Sequence, residues 1–235
     1  TAPMTEIYAP RDWSTQPPYL HPDYKSTLLR APSKPLIPIR RSLSELTGPV
    51  YGHESLQPLD TDLTRNAVKT AEPIGERIVV TGRVLDENGR PQPNTLVEIW
   101  QANAAGRYVH AADQHPAPLD PNFLGAGRCV TDSEGRYKFY TIKPGAYPWG
   151  NHDNAWRPAH IHFSLFGHSL ATRIVTQMYF PGDPLLAFDP IYQGVPAESR
   201  ELLISRFTLD HTEPQFALGY AFDFVLRGRN QTPIE

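Results

Sequence analysis

Beyond residue 76 apolar and polar side chains alternate in short runs. Arg77–Leu85 reads as a strand, Asp86-Glu87-Asn88-Gly89 as a turn, and residues 94–100 as a second strand with Leu96, Glu98 and Trp100 on one face. Thr131-Asp132-Ser133-Glu134-Gly135 forms another turn and leads into a strand at Arg136–Ile142. Further strands are expected at residues 159–166, 173–180 and 219–227, and residues 197–207 begin as a short helix after Pro196. Short strands separated by turn chemistry predict an all-β chain with a β-sandwich core. Residues 75–235 are assigned to that sandwich.

Residues 1–74 have a different texture. Pro10, Pro17, Pro18, Pro22, Pro32, Pro35, Pro38 and Pro49 exclude long helices there. Trp13, Tyr19, Tyr24, Leu28, Leu29, Leu36, Ile37 and Ile39 make the stretch too apolar for a solvated linker. It is expected to be a long irregular arm lying across its own domain or a partner. One short helix is predicted at residues 42–46, with Ser42 as N-cap and Glu45 three positions later.

A chain of 235 residues fits one large β domain, or a medium domain with an appendage. Its 25 prolines, well above the ~5% of ordinary chains, favour extended segments and turns over helices. A net charge of −3 and no basic run longer than Arg40-Arg41 leave no electrostatic footprint for nucleic acid. Cys129 is the only cysteine, which excludes an internal disulfide framework and a multi-cysteine metal site; it reads as a small buried hydrophobe. No stretch approaches the ~20 apolar residues of a membrane span, and the first residues carry no apolar signal core. A cytoplasmic location is expected.

The chemistry concentrates in Trp156-Arg157-Pro158-Ala159-His160-Ile161-His162-Phe163. Side chains alternate faces along a strand, so His160 and His162 point the same way and make half of a metal site. The pattern alone also fits a surface pair or a satisfied core pair, and imidazole suits zinc, copper and iron alike. His21, His53, His110, His115, His152, His168 and His211 read as surface residues, with His110 the nearest to the motifs below.

Two longer patterns narrow the choice. Gly82-Arg83-Val84-Leu85-Asp86-x-x-Gly89-x-Pro91 precedes Val97-Glu98-Ile99-Trp100-Gln101, and Thr131-Asp132-x-x-Gly135-x-Tyr137-x-Phe139 ends at Pro144-Gly145-x-Tyr147. This scaffold resembles transthyretin-like and adhesion modules, which need no metal. A non-catalytic binding module is therefore one reading. The additions Trp100-Gln101-Ala102-Asn103, Gly106-Arg107-Tyr108, Tyr147-Pro148 and Arg157-Pro158-Ala159-His160-Ile161-His162 resemble the intradiol ring-cleavage dioxygenases over roughly residues 73–228. Within that family the match lies nearest the β chains of the two-chain members that cleave protocatechuate. The Pro-rich arm fits them too, whereas single-chain catechol or hydroxyquinol 1,2-dioxygenases, the alternative, carry a helical N-terminal region.

The resemblance implies a non-haem Fe(III) centre held by Tyr108, Tyr147, His160 and His162. Two phenolates and one hydroxide neutralise a ferric ion and favour it over ferrous iron. A catechol would chelate as a dianion, displacing Tyr147, which takes up a substrate proton. The ring is then cut by O₂ between its hydroxyls, giving 3-carboxy-cis,cis-muconate from protocatechuate. Arg157 is implied as the cation that stabilises charge on the attacked ring carbon; its bland alternative is a surface arginine stacked on Trp156. Tyr24, Trp149, Gln177 and Ile191 match substrate-pocket positions, although Tyr24, Trp149 and Ile191 also suit plain packing. Trp100 reads as core. Beyond Arg157 the chain offers no clear arginine partner for the substrate carboxylate, so a paralogous α chain is expected to complete the pocket.

Overall fold

A computed structural model describes residues 11–37, 39, 42–48, 50–67 and 70–235. The first ten residues of the expected arm, with Pro38, Arg40, Arg41, Pro49, Val68 and Lys69, lie outside the described residues.

The alternating runs form β1 (Arg77–Leu85), β2 (Leu96–Trp100), β3 (Ala126–Val130), β4 (Arg136–Ile142), β5 (Tyr147–Pro148), β6 (Trp156–Arg157), β7 (His160–Phe166), β8 (Ile174–Tyr179), β9 (Arg206–Phe207), β10 (Leu218–Ala221) and β11 (Phe224–Val225). One sheet has the order β11-β1-β10-β9, with β4 also paired to β1; a second runs β3-β2-β7-β8; β5 and β6 form a separate pair. Their apolar faces meet in one core that joins Ile78 and Val80 of β1, Phe139 of β4, Val97 and Ile99 of β2, and Ile161, Phe163 and Leu165 of β7. The predicted β-sandwich with a few short helices is the observed architecture.

Some details depart from the expected elements, among them the short β5–β6 pair. β3 was not anticipated: Ala-Gly-Arg-Cys-Val has little alternation, and its pairing with β2 supplies the order. The expected strand at residues 219–227 is two strands. At the break Phe222 N donates to Thr81 O at 2.9 Å, and the Asp223 carboxylate replaces a backbone carbonyl as acceptor for Arg83 N at 2.8 Å. Gly82 faces this break, where a Cβ would lie 1.7 Å from Phe222 O. Residues 197–207 begin as a short helix after Pro196 as expected, of 3₁₀ type over Ala197–Leu203, and end in β9.

Short helices punctuate the rest: α1 (Thr27–Arg30), α2 (Leu43–Thr47) and α3 (Pro190–Gln193). α2 follows the Ser42 cap as expected, with Ser42 N donating to the Glu45 carboxylate at 2.6 Å. The arm is stapled across the chain's own sandwich. Lys25 N donates to Asn151 Oδ1 and Asn151 Nδ2 donates to Asp23 O, both at 2.8 Å, while Ile234 N donates to Gln16 Oε1 at 2.9 Å. Leu29, Ile37 and Ile39 remain exposed on it.

Candidate metal centre

β7 is buried along nearly its whole length, so its two faces divide the work. Ile161, Phe163 and Leu165 enter the core, and His160, His162 and Ser164 point away from it, as the period of two requires. Strand register supplies their neighbours. His162 lies between Trp100 on β2 and Gln177 on β8; His160 lies beside Tyr179 on β8. Trp100 is therefore not a core residue. It sits half-buried on the outer face and stacks on His162, with 4.9 Å between centroids and 4° between planes.

Loops bring the phenols over this row. The loop after β2 is tied down by Asn103, whose side-chain oxygen accepts from Ala105 N (2.9 Å) and Arg107 N (3.0 Å) while its nitrogen donates to Pro118 O (3.0 Å). Gln101 clamps the same loop to the end of β4, donating to Ile142 O at 2.7 Å and accepting from Thr141 Oγ1 at 2.7 Å. Gly106 has φ +78°, and a Cβ there would lie 2.2 Å from Ala146 O. Only glycine lets the two tyrosine loops touch. Tyr108 and Tyr147 consequently meet edge to face at 5.3 Å, and the β5–β6 pairing sets Tyr147 opposite Arg157.

The four donors converge. Tyr147 Oη lies 3.3 Å from His160 Nε2, His160 Nε2 lies 3.2 Å from His162 Nε2, and the rings of Tyr108 and His162 are 6.2 Å apart. The imidazole tautomers follow from their outer partners. His160 Nδ1 donates to Pro158 O at 2.7 Å, and His162 Nδ1 to the Glu235 carboxylate at 3.1 Å. Both Nε2 lone pairs therefore face the same point, the usual outer-partner arrangement of metal-bound histidine. Burial, then the Arg157 guanidinium and His162, hold His160 well below the usual imidazole range, so its ring is neutral.

These residues fit a cation. Two nitrogens 3.2 Å apart match one ion at about 2.1 Å from each, with an angle near ~100° between them. The Tyr108 hydroxyl is buried without a hydrogen-bond partner among the described residues. Burial raises both phenols, Tyr108 further because Tyr147 stands beside it, and Tyr147 less because Arg157 offsets the effect. A trivalent ion reverses that penalty by stabilising the phenolates. Among the described residues no group of three or more His, Cys, Asp or Glu is placed to hold a metal, and the phenols of Tyr108 and Tyr147 stand beside the two imidazoles.

Arg157 is not the surface residue of the bland reading. It is 3% exposed, whereas Trp156 is 40% exposed. Its Nη1 donates to His160 Nε2 at 3.3 Å, and its guanidinium carbon lies 5.6 Å from the Trp149 ring centroid. Gln177 Oε1 accepts from Arg157 Nη2 at 2.6 Å. Tyr24 packs against Trp149 at 5.5 Å and joins Ile191 of α3 in lining a cavity of about 200 Å³ between arm and sandwich. A wider cleft of about 720 Å³ opens over Tyr108, Tyr147 and Trp149. Tyr24 and Ile191 thus line a cavity separate from the cleft over Tyr108, Tyr147 and Trp149, and the Tyr24–Trp149 contact links the two. His110 lines the wide cleft but its Nδ1 accepts from Ala112 N at 3.1 Å.

Sequence reasoning missed Tyr179, Asp189 and Glu235. Asp189-Pro190 carries a helix-start signal, and Tyr179 shares the alternation of Gln177. Glu235 has no local signal.

The Dioxygenase family profile matches residues 46–228, and the profile for the protocatechuate 3,4-dioxygenase beta subunit N terminal matches residues 9–42. The chain is 69% identical over 229 residues to the protocatechuate 3,4-dioxygenase beta chain of Burkholderia cepacia, covering 97% of each. It is 27% identical to the alpha chain from the same organism, covering 67% of this chain and 76% of that one. Among solved structures it is similar to 3-chlorocatechol 1,2-dioxygenase from Rhodococcus opacus (TM-score 0.56, 23% identity, 73% of this chain and 66% of that one). Catechol 1,2-dioxygenase from Pseudomonas arvilla is also similar (TM-score 0.52, 26% identity, 72% and 56%).

Proposed function

The chain belongs to the intradiol ring-cleavage dioxygenase family, which depends on non-haem iron, and from that membership we propose that it cleaves protocatechuate with O₂ to 3-carboxy-cis,cis-muconate. It acts as the iron-bearing subunit of a complex with a paralogous α chain, the partner type represented by the alpha-chain relative. The observation that carries this reading is the convergence of two phenols and two imidazoles on one point beside a buried arginine.

Tyr108, Tyr147, His160 and His162 hold the metal as Fe(III). When bound, that ion supplies Lewis acidity, drawing electron density from a chelated catechol so that its ring reacts with O₂. The residues of the chain do the rest. His160 and His162 present fixed lone pairs because Pro158 O and Glu235 occupy their Nδ1 protons. Tyr147 Oη accepts a proton from a substrate hydroxyl as the catechol becomes a dianion. Arg157 holds positive charge in a dry site where ring charge develops. Tyr24, Trp149 and Ile191 form the apolar wall that places the ring, and Gln177 steadies Arg157. Residues 1–74 act as an arm for packing and oligomer contacts, and the sandwich of residues 75–235 carries the chemistry.

Co-expression with an α chain tests the reading. The iron-loaded complex is expected to be red-brown from tyrosinate-to-iron charge transfer. It should consume O₂ faster with protocatechuate than with catechol. A colourless iron-replete protein overturns the ligand set, and faster catechol turnover overturns the substrate.

A further inference from the structure

Arg157 is anchored through a single nitrogen. Its Nη2 donates to Gln177 Oε1 (2.6 Å), Tyr179 Oη (2.9 Å) and Asp189 Oδ2 (3.0 Å), and all three partners are buried. Nη1, by contrast, points to His160 Nε2 at 3.3 Å. The anchors also hold one another: the Tyr179 hydroxyl proton is shared between Gln177 Oε1 at 2.8 Å and Asp189 Oδ2 at 3.2 Å. Among these three acceptors only Asp189, with no exposed surface, supplies a counter-charge. A guanidinium so deeply buried needs one.

The second oxygen of Asp189 has a separate task. Oδ1 accepts from Ile191 N at 3.3 Å and caps α3, with Pro190 at its first position. One carboxylate therefore touches the buried arginine with Oδ2 and the turn carrying Ile191 with Oδ1.

We propose that Asp189 is a positioning residue for ring cleavage: by gripping Nη2 it sets the direction in which Arg157 presents Nη1 to the reacting ring, and it ties that direction to the Ile191 wall. The inference rests on the reading of Arg157 as the catalytic cation. Tyr179 is the second anchor, sharing the same grip without charge.

The test uses the iron-loaded α/β complex with Asp189→Asn, Asp189→Glu and Tyr179→Phe, each in the native and the Arg157→Met background. Asp189→Asn is expected to lower kcat about 10- to 100-fold with KM moved less than about threefold. Iron per chain stays unchanged, and Asp189→Glu recovers part of the loss. In the Arg157→Met background the same substitution costs nothing further. A readout independent of turnover is the fluorescence of Trp149 in the iron-stripped protein, taken by difference against Trp149→Phe. It should change in Asp189→Asn, because the guanidinium beside that ring moves. Should Asp189→Asn fail to fold, Tyr179→Phe, nearly isosteric, carries the test with an expected ~3- to 10-fold loss that also vanishes in the Arg157→Met background. Unchanged kcat in both variants while Arg157→Met is slow overturns the positioning role. So does an equal loss in both backgrounds. Unchanged kcat in Arg157→Met itself overturns the reading of Arg157, and the inference with it.

Discussion

The strand-borne and loop-borne halves of the site are held by different forces. His160, His162, Gln177 and Tyr179 ride on β7 and β8, where backbone pairing sets their spacing and Ile161, Phe163 and Leu165 weld the other face of β7 into the core. Tyr108, Tyr147 and Arg157 come from loops and a two-residue pair, and polar side chains place them: Asn103 and Gln101 below, Gln177, Tyr179 and Asp189 behind. The difference assigns roles. The rigid half suits ligands that stay, and the loop half includes Tyr147, which the proposed mechanism releases.

The comparison breaks most sharply at His160. His160→Ala is expected to lose iron and colour, since it leaves His162 as the single imidazole at that point; metal analysis checks this, and full iron retention counts against the assignment. Next comes the hidden face of the same strand. Phe163→Ala should destabilise the fold by about 3–5 kcal/mol through the cavity it leaves, read from denaturant unfolding. A loss below about 1 kcal/mol would mean that the core does not support the strand-borne half.

On the loop side, Tyr147→Phe should keep iron but slow turnover by about a hundredfold, because its proton-accepting oxygen is gone. Equal loss of iron and activity would place Tyr147 with the retained ligands. Asn103→Ala strips two backbone donors and one carbonyl of their partner. It is expected to cost about 1–3 kcal/mol and to loosen Tyr108, blurring the charge-transfer band while the histidines keep their metal.

The last effect is confined to alkaline pH and concerns Cys129 in the core. Burial pushes its thiol up to about 12 from 9.0. The unfolded chain loses this proton first, so its contribution is intact below pH 9 and is lost as pH rises from 9 to 12. Cys129→Ala should flatten the alkaline stability limb by up to ~1.4 kcal/mol per pH unit across that window, in pH-dependent unfolding. An identical limb in both proteins would show that the thiol stays protonated in both states or titrates elsewhere.

Much of the scaffold was legible because its signals are local. Alternation marked β1, β4, β7 and β8 to within a residue of their observed ends, and Gly89 and Gly135 marked turns that need positive φ. The Ser42 and Glu45 spacing found α2 inside a stretch otherwise ruled by proline. β3 escaped because a neighbouring strand, not its own pattern, orders it. The split between β10 and β11 escaped because it depends on Asp223 reaching a backbone donor 140 residues away. Trp100 was misplaced for a related reason: a large aromatic on a strand reads as core, yet its row partner is a histidine on the outer face.

By itself the sequence determined the all-β character of the chain, the shared face of His160 and His162, and, through its motifs, the family. Those follow from a two-residue period and from residue types close together in the chain. Only the tertiary structure decided that Tyr108 and Tyr147 stand over that face, that Arg157 is buried rather than exposed, and that Asp189 and Glu235 lie behind Arg157 and His162. Partners 13 to 73 residues apart meet through sheet register and loop closure, and neither is written in the local pattern.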